Sequence, residues 1–281
     1  MKSSTLILLG LSPALHAEFS PQTEKVLNGT AEAVSTHVSL ALGQVDEDGE
    51  KLTALAGALQ KMGFGNPPPV HPEMKKSEEE LAKMSEKDRR IYEDHHAERL
   101  GRMAQMGKTD VEFIKALDLD KNLMLDAAEV QESVRSQLVF LLEDKLKMDG
   151  DKDGKLNLKE YTLGVPVRGE IEEDGVDWHQ RGHFESDDLN EDGVIDESEI
   201  VSHYAEDLIL KSQQIHLATT VAGLDKNADG EIDEEEFSAL PAEDDAVWTH
   251  MKSESDTIPA SQIWQRTYWL PSSAMFPLLV K

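Results

Sequence analysis

Four twelve-residue segments between residues 118 and 236 follow one pattern, and that pattern constrains the fold more than any other feature. They read DLDKNLMLDAAE (118–129), DGDKDGKLNLKE (149–160), DLNEDGVIDESE (188–199) and DKNADGEIDEEE (225–236). Each has Asp at position 1, Asp or Asn at positions 3 and 5, an aliphatic residue at position 8 and Glu at position 12. Carboxylates packed this closely repel one another, so the pattern makes physical sense only if a divalent cation belongs among them. Calcium takes six to eight hard oxygen ligands, and a twelve-residue loop of the EF-hand type can wrap it. Side chains at positions 1, 3 and 5, the carbonyl of position 7 and a bidentate Glu at position 12 supply the oxygens, while position 6 needs positive φ and is usually Gly.

On that grammar the predicted ligands of the first loop are Asp118, Asp120, Asn122, the Met124 carbonyl and Glu129. Those of the second are Asp149, Asp151, Asp153, the Lys155 carbonyl and Glu160. The third offers Asp188, Asn190, Asp192, the Val194 carbonyl and Glu199, and the fourth Asp225, Asn227, Asp229, the Glu231 carbonyl and Glu236. Position 9, often a ligand through water, holds Asp126, Asn157, Asp196 and Asp233. Gly154, Gly193 and Gly230 fill position 6, but the first loop has Leu123 there, at a cost of about 1–2 kcal/mol in left-handed geometry. Weaker binding is expected at that loop.

Flanking helical signals predict an all-α chain of two EF-hand pairs, preceded by a helical N-terminal region. The position-8 residues Leu125, Leu156, Ile195 and Ile232 would form short two-stranded ladders between paired loops. Neighbours in sequence are expected to pair: 118 with 149 inside residues 108–165, and 188 with 225 inside 175–240. Residues 44–55 look like a decayed fifth loop, with Gln44 at position 1 and Leu55 in place of the bidentate Glu.

The rest of the chain reads as follows. Residues 1–17, with Lys2, the apolar run Leu6–Leu11 and small residues at Ser12, Ala14 and Ala17, predict a secretory signal peptide. Residues 18–65 look weakly helical, 66–72 are a Pro-rich linker and 73–107 a charged helix. Residues 241–281 form a tail with three of the four Trp residues. Asn28-Gly29-Thr30 is a glycosylation sequon, which makes the chain a candidate glycoprotein. No apolar run after the leader is long enough to span a bilayer.

The formal net charge is −28, which argues against nucleic acid or an anionic membrane as partner. Four divalent ions would add eight charges and still leave −20, a surface suited to loose calcium binding beside the specific sites. His179 and His183, four apart, could share a helical face, but no third zinc ligand accompanies them. There is no P-loop, GxSxG or HExxH pattern and no Cys at all, so no catalytic residues are assigned and an enzyme is not expected. Only Met124 and Met148, of ten Met, lie between residues 110 and 240, which counts against a sensor that opens a Met-rich groove.

Several details give the chain a family likeness. Leu at position 6 of DLDKNLMLDAAE, the pair Glu160-Tyr161 and the pair Asp177-Trp178 ahead of the third loop resemble the CREC family of reticulocalbins and calumenins. That resemblance covers roughly residues 110–240. It implies a low-affinity calcium-binding protein of the endoplasmic reticulum or Golgi lumen, or a secreted one, with client-protein partners and no catalysis. Family members usually carry six hands and often end in a retrieval tetrapeptide; this chain ends in LLVK. The expected function is therefore low-affinity calcium buffering or calcium-dependent client binding in the secretory lumen or after secretion. The alternative is a calcium sensor that regulates a protein partner.

Overall fold

The computed structural model describes residues 19–45, 51–63, 78–86, 89–90, 92, 112–167, 171, 174–238, 248, 251–252 and 256–263. The expected signal peptide, the Pro-rich linker, most of the charged helix and most of the C-terminal tail lie outside these residues. The described chain is mainly helical: α1 (Pro21–Val45), α2 (Leu52–Lys61), α3 (Glu78–Ala82), α4 (Ala127–Lys145), α5 (Leu158–Thr162), α6 (Trp178–Asp187), α7 (Glu197–Ala222) and α8 (Glu234–Phe237). Four two-residue strands complete it: β1 (Leu156–Asn157), β2 (Val194–Ile195), β3 (Glu231–Ile232) and β4 (Ile258–Pro259). None of these helices is long and apolar enough to cross a membrane.

The chain divides into two compact units, residues 1–35 with 130–209, and residues 36–129 with 210–281. In the first unit, the apolar face of α4 repeats every four residues, at Val130, Val134, Leu138 and Leu142, and all four are buried. Leu27, Ala31 and Val34 of α1 are buried in the same unit. The Ser20 hydroxyl accepts from the Thr23 amide (3.1 Å) at the start of α1. Arg135 donates to Glu24 (2.8 Å) and to Asn28 (2.9 Å), and its guanidinium helps hold the Glu24 carboxyl below the usual carboxylate range. The sequon thus lies inside a helix rather than in a surface loop, with Thr30 buried and its hydroxyl donating to the Val26 carbonyl (2.8 Å).

The connection from α5 to α6 is tied down by side chains. Gln180 donates to the carbonyls of Val165 (2.8 Å) and Thr162 (3.3 Å), and Tyr161 meets Phe184 edge-on at 5.6 Å. Asp177 and Gln180 close a capping box at the start of α6.

In the second unit, Val38, Ala41 and Leu42 of α1, Leu52, Leu55 and Leu59 of α2, and Ile215, Leu217, Ala218 and Val221 of α7 are buried, with Ile232, Phe237, Trp248, Ile258 and Ile263. Phe237 and Trp248 pack with ring centroids 4.9 Å apart.

The expected pairing of neighbouring loops is corrected by the ladders. β1 pairs antiparallel with β2, Leu156 opposite Ile195, so the 149 loop joins the 188 loop. β3 pairs with β4, Ile232 opposite Ile258, so the 225 loop joins a segment near residue 258. Lys51 bridges Met124, so the 118 loop joins the decayed N-terminal segment. The cause is helix continuity. α4, 19 residues long, links the 118 and 149 loops as one helix, with no turn between them at which the chain could double back. α7, 26 residues long, does the same between the 188 and 225 loops. Between the 149 and 188 loops, by contrast, α5 ends within five residues and Gly164 and Pro166 follow, so the chain can double back.

Candidate metal-binding loops

All four loops adopt one backbone conformation. Position 4 has positive φ in each, at Lys121, Lys152, Glu191 and Ala228. Position 6 does too, at Leu123 (66°), Gly154 (83°), Gly193 (84°) and Gly230 (85°). These two left-handed residues turn successive amides and side-chain oxygens toward the middle of the loop.

A common hydrogen-bond scheme holds the carboxylates in place. The position-1 carboxylate accepts from the position-6 amide: Asp118 from Leu123 (3.1 Å), Asp149 from Gly154 (2.9 Å), Asp188 from Gly193 (2.9 Å) and Asp225 from Gly230 (3.0 Å). The position-5 side chain accepts from the position-7 amide: Asn122 from Met124, Asp153 from Lys155, Asp192 from Val194 and Asp229 from Glu231. Position 3 accepts from the position-5 amide through Asp120, Asp151, Asn190 and Asn227. The position-12 Glu reaches back across the loop. Glu129 accepts from Leu119, Glu160 from Gly150, Glu199 from Asn190 and Glu236 from Lys226.

Position 9 caps the departing helix. Asp126, Asn157, Asp196 and Asp233 each accept from the amide of their own position-12 Glu, at 2.8–3.2 Å. In the last three loops that Glu returns a bond to the position-9 amide, completing a capping box. The position-12 Glu is therefore fixed to the first turn of a helix.

Oxygen atoms of Asp118, Asp120 and Glu129 lie within 4.8 Å of one another, as do those of Asp149, Asp151 and Asp153. In the second loop the crowding of charge shows at Asp151. The Asp153 amide favours the Asp151 anion, but desolvation and the charges of Asp153, Glu160 and Asp149 outweigh it and raise its pKa. Asp149 shifts the other way: desolvation is outweighed by the amides of Gly154, Lys152 and Asp153. In the third loop Asp188 and Glu199 are buried, 7% and 4% exposed, with only N–H donors facing them in the bonds described. Burying two anions together is costly without a compensating cation. The donor set, hard oxygens converging on a loop centre, fits calcium.

The decayed segment differs where it matters. Lys51, position 8 in the sequence register, occupies the N-cap place of α2, which position 9 takes in the full loops, and makes no side-chain cap bond, unlike Asn157 or Asp233. Its positions 46–50 lie outside the described residues. β4 exposes a partner that sequence reasoning missed: Pro259 takes the N-cap place of a 3₁₀ turn, Ala260–Gln262, without the side-chain cap bond that Asp233 makes at α8. The only sequence signal was the oxygen-bearing run Ser253-Glu-Ser-Asp256 ahead of Ile258. Also missed was a cluster built on the buried Tyr161 and Asp187 beside the third loop. Tyr161 donates a short hydrogen bond to Asp187, His203 lies 2.8 Å from the same carboxylate, and the Lys145 ammonium sits 4.1 Å from the centre of the Tyr161 ring.

His179 and His183 do sit on one face of α6, rings 4.5 Å apart, but they belong to no three-ligand group among the described residues.

An EF-hand family model matches residues 224–241, the segment that holds the fourth loop and α8. No curated protein and no solved structure matches the chain. The match supports calcium binding by an EF-hand at this segment.

Proposed function

We propose that all four loops are EF-hand calcium sites and that the chain is a non-catalytic, low-affinity calcium-binding protein of the secretory lumen or the extracellular space. The observation that carries the reading is the recurrence of one ligand-positioning scheme in four loops, one of which the EF-hand model matches. The location rests on the leader-like N-terminus and on the CREC-type motifs at Leu123, Glu160-Tyr161 and Asp177-Trp178. Beyond buffering, the chain binds client proteins when calcium is bound. Large apolar side chains at Leu163, Val167, Ile171, Trp178 and Leu189 stand exposed in the first unit and suit such contacts.

Calorimetric titration of the leader-free chain, with an apolar dye alongside, tests the proposal. Dissociation constants of roughly 10⁻⁴–10⁻³ M with little new dye binding are expected. Constants near roughly 10⁻⁷–10⁻⁵ M with strong dye uptake would replace the buffer reading with that of a sensor acting on a partner.

A further inference from the structure

His37 of α1 and His216 of α7 face each other inside the second unit. Their Nδ1 atoms lie 3.3 Å apart, across 179 residues of sequence. His216 is 6% exposed, whereas His37 is only partly buried and gives the pair an opening to solvent. One imidazole can donate its Nδ1–H to the other. At 3.3 Å that bond is longer than the roughly 2.7–3.2 Å usual for an N–H donor, so neither nitrogen is well satisfied. The same separation suits a metal ion. Zinc holds imidazole nitrogen at about 2.0–2.1 Å, and two such nitrogens at a tetrahedral angle stand about 3.3–3.4 Å apart.

We propose that His37 and His216 form a zinc site through their Nδ1 atoms, one that ties α1 to α7 independently of the calcium loops. Burial lowers the pKa of both rings, and the His37 charge adds to the effect at His216. Both imidazoles are therefore neutral near pH 7, and only the neutral ring binds a metal. Thr219 and Thr220 each donate a hydroxyl bond to the His216 carbonyl (2.9 and 2.8 Å), which steadies the turn of α7 that carries the ring. One turn to either side of His37 stand Val34 and Ala41, both buried and without ligand atoms in their side chains, so the remaining coordination positions fall to water. A site with two protein ligands is open, and zinc exchanges there rather than staying for the life of the fold. Calcium does not compete, because it takes hard oxygens and not imidazole nitrogen. His179 and His183 differ: they share one helix and meet as T-shaped rings, with no pair of converging nitrogens among the contacts described.

The test is a zinc titration of residues 18–281 at saturating calcium, which keeps zinc away from the carboxylate loops. Long-range ¹H–¹⁵N spectra of the imidazole rings are the readout. The Nδ1 signals of His37 and His216 are expected to shift together and to level off near one zinc per chain. His203, whose Nδ1 is already held by Asp187 at 2.8 Å, should not follow them. His37→Gln and His216→Gln should each weaken zinc binding by roughly tenfold or more, at least the cost of losing an outer-shell partner. Each should also remove the rise in melting temperature that zinc gives the unaltered chain. The ring spectra of the unaltered chain need no variant, so a poorly folding substitution leaves the test decisive. Zinc that shifts His179 and His183 while leaving His37 and His216 in place would overturn the zinc site, as would no shift of any ring at excess zinc. If the loops take no calcium, the ring nitrogens still read zinc, so the two readings fail separately.

Discussion

At Leu123 the backbone has φ of 66° while the side chain is 52% exposed, so the residue carries left-handed strain without packing in return. Leu123→Gly should therefore stabilise the calcium-free protein by about 1 kcal/mol, net of the entropy Gly adds to the unfolded chain, and should tighten calcium binding at that loop. Denaturant unfolding in chelator checks the first effect, and the Asn122 or Met124 amide shifts check the second. A second residue-scale prediction concerns His216, buried with its Nδ1 3.3 Å from that of His37. Burial, with a smaller contribution from the His37 charge, pushes its pKa down to about 4. The unfolded chain takes up this proton near pH 6.5 and the folded one near pH 4, so stability falls as pH drops through that window and levels off below it. His37, also lowered by burial, adds to the same slope. In calcium-free buffer the denaturation midpoint should fall between pH 7 and pH 5, and His216→Gln should flatten that fall. The hydrogen-bond scheme that the four loops share was legible in the sequence, because side-chain oxygens at fixed spacing need no tertiary context. The Tyr161–Asp187–His203 cluster was not, because residues far apart in sequence meet there through folding alone.

The elements show why the pairing was misread. Apolar position 8 marked every strand that joins a ladder from a full loop, but position 8 says nothing about which loop it meets. That choice is made by what lies between the loops. Residues 130–148 and 200–222 contain no Gly or Pro, and each stretch runs as helix with no turn between its two loops; residues 163–177 contain Gly164, Pro166, Gly169 and Gly175 and let the chain return. That information was present in the sequence, and loop spacing alone concealed it. The Ile258–Pro259 strand is harder to foresee, since two residues without a ligand set carry almost no pattern. Leu156 and Ile195 face each other in the best-formed ladder, and both are almost fully buried. Leu156→Ala and Ile195→Ala should each cost about 2–5 kcal/mol in denaturant unfolding. The double variant should cost less than their sum, because the two side chains contact each other.

Across the whole molecule, charge and calcium set stability together. A chain with formal charge −28 and no Cys has neither a disulfide nor charge balance to hold it compact. Added NaCl should raise the melting temperature of the calcium-free protein by screening repulsion. Saturating calcium should raise it further, adding about 2.7 kcal/mol of stability for each site at a hundredfold excess over its dissociation constant. The central claim is that four loops, not one, hold calcium. Equilibrium dialysis of residues 18–281 tests it most directly, with a variant carrying Glu129→Gln, Glu160→Gln, Glu199→Gln and Glu236→Gln as the baseline for loose surface binding. Four ions per chain above that baseline, falling to three with Glu236→Gln alone, is the predicted result. A single ion, lost entirely with Glu236→Gln, would confine calcium binding to residues 224–241 and contradict the account.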